Sequence, residues 1–165
     1  RKFGENDRTD LKAIARIRRG MMLGTGNRFL IYGMDKPQLV EEALTGSVIG
    51  AFFEVYNELR SGHAEKHYAN ALELELRWRG HQVGREVSIG VWYKEIKIGY
   101  HRLDMIVDDR LIVENKSGEL LPKHAEEQLR NYLTATKLEV GLLLHFGPKA
   151  KFQRVMPYGR LPRSP

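Results

Sequence analysis

With 165 residues, 42% hydrophobic and 29% charged, the chain has the make-up of a single soluble globular domain large enough for a sizeable core. It contains no cysteine, which excludes disulfides and thiolate-held iron–sulfur clusters and is compatible with a cytoplasmic location. No apolar run reaches membrane-spanning length, no signal-peptide pattern is present, and the net charge of +6 is concentrated at the two ends.

Residues 1–36 carry nine Lys/Arg against four Asp/Glu, residues 149–165 carry five against none, and the stretch between is net −4. Residues 1–37 read as a basic, partly helical extension. Between Asp10 and Met22, Leu11, Ile14 and Ile17 recur at helical spacing, with Lys12, Arg16 and Arg19 on another side. Those three cations are candidate contacts to nucleic-acid phosphates; the alternative is a solvated tail or a helix packed on the body. Gly24-x-Gly26 is not a phosphate loop, because no strong strand precedes it.

Residues 38–59 form a strong helical pattern, with Val48, Ile49, Phe52, Phe53, Tyr56 and Leu59 on a broad apolar face. The Phe52/Phe53 region suits either the core or an interface with a protein partner or second copy. Gly62 breaks the pattern, and a second helix is expected from about Ala64 to Arg79, stopped by Gly80. Glu65 suits the positive end of that helix. His63 and His67 bracket it, but zinc-protease helices require Glu directly after the first His, where Ala64 stands. His101 and His145 read as packing or surface residues.

Val83, Val87, Ile89, Val91 and Tyr93 alternate as strand residues do. A hairpin is expected next, from Tyr100 to Lys116 around the polar turn Asp108-Asp109-Arg110. With a three-residue loop, Val107 pairs with Leu111, Asp104 faces Glu114 and Arg102 faces Lys116. Leu103, Met105, Val107, Leu111 and Val113 then share an apolar face. Carboxylates directly opposed at a Cβ separation of about 4.5–5.5 Å repel, and a divalent cation is the simplest compensation. Two carboxylates suit Mg²⁺, with Mn²⁺ as a possible substitute, and Lys116 could orient an attacking water or hold it partly deprotonated. Such activation calls for a lysine pKa below its ordinary value, and the adjacent cation pushes in that direction. The plain alternative is a solvated charged face.

Downstream, Pro122 marks a helix start, and Gln128 and Tyr132 fall four apart on one helix face running to about Thr136. Gly141-Leu-Leu-Leu-His-Phe146 reads as a short buried strand.

Taken in order, Gly62-x-x-Glu65-x-x-Tyr68, Gly99-Tyr-His-Arg-Leu-Asp104, Glu114-Asn-Lys116 and Gln128-x-x-x-Tyr132 resemble the GxxExxY proteins of the PD-(D/E)XK nuclease superfamily. The resemblance runs from about Leu39 to Val155 and departs from the superfamily pattern in having Leu103, not proline, before Asp104. It implies an α/β restriction-endonuclease-like core over residues 38–158, a mixed sheet flanked by helices in the order αβββαβ, and a basic tail at 159–165. It also implies that Asp104, Glu114, the Asn115 backbone carbonyl and Glu65 hold metal and that Lys116 is catalytic. Gln128 and Tyr132 would support the site or the nucleic acid, with Arg102 and Tyr68 as further supporting residues. The expected activity is Mg²⁺-dependent hydrolysis of phosphodiester bonds, in DNA more than RNA. The alternative is an inactive nuclease-like binding or assembly module.

Overall fold

The computed structural model describes residues 39–159. Lys12, Arg16 and Arg19, with the rest of the basic extension, lie outside the described residues, as do residues 160–165. The elements are α1 (Glu42–Leu59), α2 (Glu65–Trp78), β1 (Val83–Tyr93), β2 (Ile96–Val107), β3 (Leu111–Ser117), α3 (Ala125–Thr136), β4 (Gly141–Phe146) and β5 (Ala150–Val155).

In α1, Leu44, Val48, Ala51, Phe52 and Val55 recur at intervals of three and four and are buried, so one stripe faces the core. Phe53 falls just off that stripe. It stays 38% exposed and packs edge-on against Phe152 at 6.0 Å, instead of joining the buried face expected of it. The helix ends ahead of Gly62, because Arg60 leaves helical geometry at φ 57, ψ −164. In α2 the buried stripe is Tyr68, Leu72 and Leu76, and Gly80 follows at φ 87, a left-handed conformation that costs glycine little.

The five strands form one sheet in the order β1-β2-β3-β4-β5. Only β3 and β4 pair parallel, and α3 makes the crossover between them. Every residue of β4 is buried, which accounts for its near-continuous apolar run. The sheet separates two apolar clusters. Phe52, Tyr68, Leu72, Met105, Val107, Leu111, Val113, Leu142, Leu144 and Phe146 belong to the cluster with α1 and α2. Ile112, Leu129, Tyr132, Leu133, Leu143 and Val155 belong to the cluster with α3. The result is an α/β architecture of a mixed sheet flanked by helices, with the expected element order extended by β5. Lys151, Gln153 and Arg154 hide that last strand from periodicity, since it pairs only with β4 and lies at the sheet edge.

One expectation needs correction. Leu103 does not share a face with Met105 and Val107 but joins the α3 cluster with Ile112. The pairing of β1 with β2 skips Glu86 and Asp104, between Arg85–Met105 and Val87–Leu103, and Glu86 sits at φ 50. Alternation is interrupted at this irregularity, and the ribbon beyond it turns its apolar side to α3.

A polar chain fastens the opposite end of the hairpin. Ser47 Oγ lies 2.7 Å from His81 Nε2, His81 Nδ1 lies 2.7 Å from Asp108 Oδ2, and Asp108 Oδ1 accepts the Gln82 N–H at 2.8 Å. It ties α1 to the start of β1 and to the Asp108–Asp109 turn, where both residues have positive φ. Burial pushes the Asp108 carboxyl up, but the His81 and Gln82 hydrogen bonds with the nearby cations outweigh it and hold it below its ordinary value. No helix among the described residues is long and apolar enough to cross a membrane.

Candidate active site

The turn sets the register. Val107, Ile106 and Met105 pair with Leu111, Ile112 and Val113, as a three-residue loop requires. The ladder stops there, one step before Asp104 and Glu114. At that step the Asp104 side chain replaces a ladder partner: its Oδ2 accepts the Asn115 N–H at 3.0 Å. In an extended residue the N–H and C=O leave the strand on the same side, so the Asn115 carbonyl also looks toward Asp104. The expected Arg102–Lys116 pairing does not form. Arg102 is 70% exposed and lies 3.7 Å from Glu86, because the strands have already parted.

Glu114 and Lys116, two apart on β3, share a face. Lys116 Nζ donates to Glu114 Oε1 at 2.6 Å, and the Glu114 side chain is only 1% exposed. The other Glu114 oxygen, Oε2, is buried with no hydrogen-bond partner. Burial first, then the charge of Asp104, pushes the Glu114 carboxyl up to about 7 against the opposing pull of Lys116. Lys116, with no cation beside it, shifts upward. Burial lowers its pKa, but the Glu114 hydrogen bond and the charges of Glu114, Glu65 and Asp104 together outweigh that, leaving it above its ordinary value. Without metal, the pair is an ammonium held by a reluctant carboxylate.

Glu65 opens α2 and is close enough to influence both Glu114 and Lys116 electrostatically. Gln128 and Tyr132 face the site from α3, and Gln128 Nε2 donates to the Tyr132 hydroxyl. Burial raises the Tyr132 pKa, as do the Glu114 and Asp104 charges, against the Gln128 hydrogen bond and the Lys116 charge. Tyr68 acts at a different place. Its ring stacks on Phe146 at 4.3 Å, and its hydroxyl joins the Arg60 carbonyl at 2.6 Å to the His63 N–H at 3.1 Å. It therefore braces the loop that leads into Glu65.

Two histidines read as packing residues stand closer to the site than expected. The His101 ring rests on Tyr132 at 5.1 Å. His145 is the β4 partner of Lys116, and partners share a face of the sheet. His145 is 3% exposed; its Nε2–H donates to the Gly118 carbonyl at 3.0 Å, and its Nδ1 is buried without a partner. A lone polar residue inside an otherwise apolar β4 was the available signal.

Among the described residues, no three His, Cys, Asp or Glu side chains converge closely enough to hold an ion on their own. The fit to a cation rests on two carboxylates and a carbonyl. The orphaned Glu114 Oε2 is an oxygen donor that no protein group uses. A hard cation such as Mg²⁺, which needs only one or two carboxylates from protein, suits this donor set.

Among curated proteins none matches this chain. A solved structure described as the crystal structure of SSO0001 is similar at 20% identity and a TM-score of 0.45, over 71% of this chain and 60% of that one. The sequence profile of the PD-(D/E)XK nuclease superfamily matches residues 42–155, from the first residue of α1 to the last of β5. That match takes in more than half of the sequence: the chain belongs to the PD-(D/E)XK nuclease superfamily, whose nucleases typically use divalent metals.

Proposed function

We propose that this protein is a Mg²⁺-dependent nuclease, able to use Mn²⁺, that hydrolyses phosphodiester bonds in DNA and belongs to the GxxExxY group of the superfamily. The observation that carries this reading is Glu114, a carboxylate buried beside Asp104 and Lys116 with one oxygen left unpartnered. Repulsion of this kind is costly to a fold and is explained most simply by a ligand that removes it.

Asp104, Glu114 and the Asn115 carbonyl would hold the ion, with Glu65 assisting from the start of α2. When bound, the ion lowers the pKa of a coordinated water and neutralises charge developing on the phosphoryl group. Lys116, whose Nζ already donates to Glu114 Oε1, is placed to donate hydrogen bonds at the site. It orients the water and steadies a phosphate oxygen. The Tyr132 hydroxyl receives the Gln128 N–H, so its own hydrogen is available to a phosphate oxygen. Arg102 offers an exposed cation beside Asp104, and Tyr68 sets the loop ahead of Glu65. The domain spans residues 38–158, and the basic ends, including Lys12, Arg16 and Arg19, add phosphate contacts.

The test is cleavage of end-labelled DNA by purified protein with Mg²⁺, with Mn²⁺ or with chelator. Cleavage requires metal and disappears in Asp104→Ala and Lys116→Ala. Equal cleavage by the wild type and both variants identifies a contaminating nuclease and removes the support.

A further inference from the structure

The β1–β2 ribbon extends well past the rest of the sheet. β3 pairs with β2 only over Met105–Val107, whereas β1 follows β2 out to Tyr93–Ile96. Every residue from Trp92 to Ile98 is exposed. Large apolar side chains gathered on an exposed arm mark an interaction surface more often than a folding requirement.

The register sorts them. Paired residues share a face, so Trp92–Lys97, Gly90–Tyr100 and Ser88–Arg102 line one side of the ribbon. A bulge between Val91 and Trp92 absorbs the extra β2 residue and keeps Lys97 on this side. Its ammonium sits over the Tyr100 ring at 4.0 Å. Gly90 leaves the space between them flat. A Cβ there would lie 2.6 Å from Trp92 Nε1 and 3.3 Å from Lys97 Cε, so the indole and the lysine stem lie over bare backbone. Near its base the other side of the ribbon is turned to the body, where Val87 and Ile89 pack on the α3 cluster and His101 rests on Tyr132, while Tyr93, Ile96 and Ile98 at the tip stay exposed. Trp92 is 61% and Tyr100 71% exposed.

We infer that this face binds an unpaired DNA strand, with bases stacking on Trp92 and Tyr100 and phosphates met by Lys97 and Arg102. The inference rests on the nuclease reading and names its substrate as DNA with a single-stranded segment next to the cleaved bond. Rings interleaved with cations suit a polyanion that also presents flat π-faces, and Lys97, seated between the two rings, is of a residue type depleted at protein–protein interfaces. Arg102 can serve, because its contact with Glu86 is long and exposed on both sides and is readily exchanged for a phosphate. The face is also within a few nucleotides of the proposed site: β2 runs from Tyr100 through Arg102 to Asp104, about 13 Å at the usual rise per residue.

Binding of a labelled oligo-dT strand, and of a blunt duplex, is measured by anisotropy on the full chain with chelator present. The wild type, Trp92→Ala/Tyr100→Ala, Lys97→Ala and Glu114→Gln are compared. The expected result is a loss of single-strand affinity of about 5- to 100-fold for each ring removed and a smaller, salt-dependent loss for Lys97→Ala. Glu114→Gln still binds the strand, and the duplex binds more weakly than the strand. In a Trp78→Phe background, oligo-dT also quenches the emission of Trp92, which reports stacking in the unaltered arm. Unchanged strand binding in the double variant, equal losses for strand and duplex, or no quenching overturns the inference. So does a wild-type dimer that the double variant converts to monomer, since that makes the arm a self-association surface. Cleavage of duplex DNA by a protein failing these tests would leave the nuclease reading standing.

Discussion

Replacing Glu114 with Gln isolates the energy stored in the candidate site. In the metal-free protein the Glu114 carboxyl is raised from 4.5 to about 7. A separation of about 2.5 units corresponds to about 3 kcal/mol of differential stability. The folded state binds this proton more tightly than the unfolded chain. Stability from this group is therefore complete below pH 4.5, falls as pH rises through about 7, and is lost above it. Glu114→Gln cannot ionise and removes that slope. Its gain above pH 7 is smaller than the full figure, about 1–2 kcal/mol, because Lys116 loses its countercharge. Urea unfolding of both proteins in chelator at pH 5 and pH 8 measures this, and the difference between their slopes cancels every other titrating group. Parallel pH dependences, or a Glu114→Gln protein clearly less stable than wild type at pH 8, would refute the reasoning.

Three further outcomes follow from the same contacts. Asp104→Ala deprives the buried Asn115 N–H of its acceptor and, at pH 5 in chelator, where Glu114 is protonated and no repulsion is relieved, lowers stability by about 1–3 kcal/mol, read by chemical denaturation. His81→Ala cuts the Ser47–His81–Asp108 chain and costs about 1–3 kcal/mol, while metal-dependent cleavage per folded molecule is retained, because the chain fastens the end of the hairpin away from Glu114. Gly141→Ala would place a Cβ 2.9 Å from Leu129 Cδ1, and the resulting strain between β4 and α3 lowers the midpoint of thermal unfolding by an amount equivalent to about 1–3 kcal/mol.

Much of this architecture is legible in the sequence because its elements follow strong periods. The α1 and α2 stripes, the Gln128/Tyr132 helix and the apolar β4 all declare themselves, and the three-residue turn fixes the register up to Met105–Val113. Beyond that step, local rules give way to tertiary ones. The parting of β2 from β3 at Asp104 depends on a side chain capturing the Asn115 N–H, and the transfer of Leu103 to the α3 face depends on the irregularity at Glu86. Neither leaves a periodic trace. β5 escaped notice because an edge strand needs few apolar residues. The upward shift of Lys116 in the metal-free protein also leaves no periodic trace, because it depends on Glu114, Glu65 and Asp104 converging from three elements.

Mn²⁺ binding followed calorimetrically in buffers of different ionisation enthalpy tests the central claim most directly, because an ion entering between Asp104 and Glu114 must displace the proton that burial keeps on Glu114. The account predicts that wild type releases close to one proton per ion bound at pH 6 and almost none at pH 8, and that Glu114→Gln binds far more weakly. Binding of equal strength in Glu114→Gln, or no release of protons at pH 6, would contradict it.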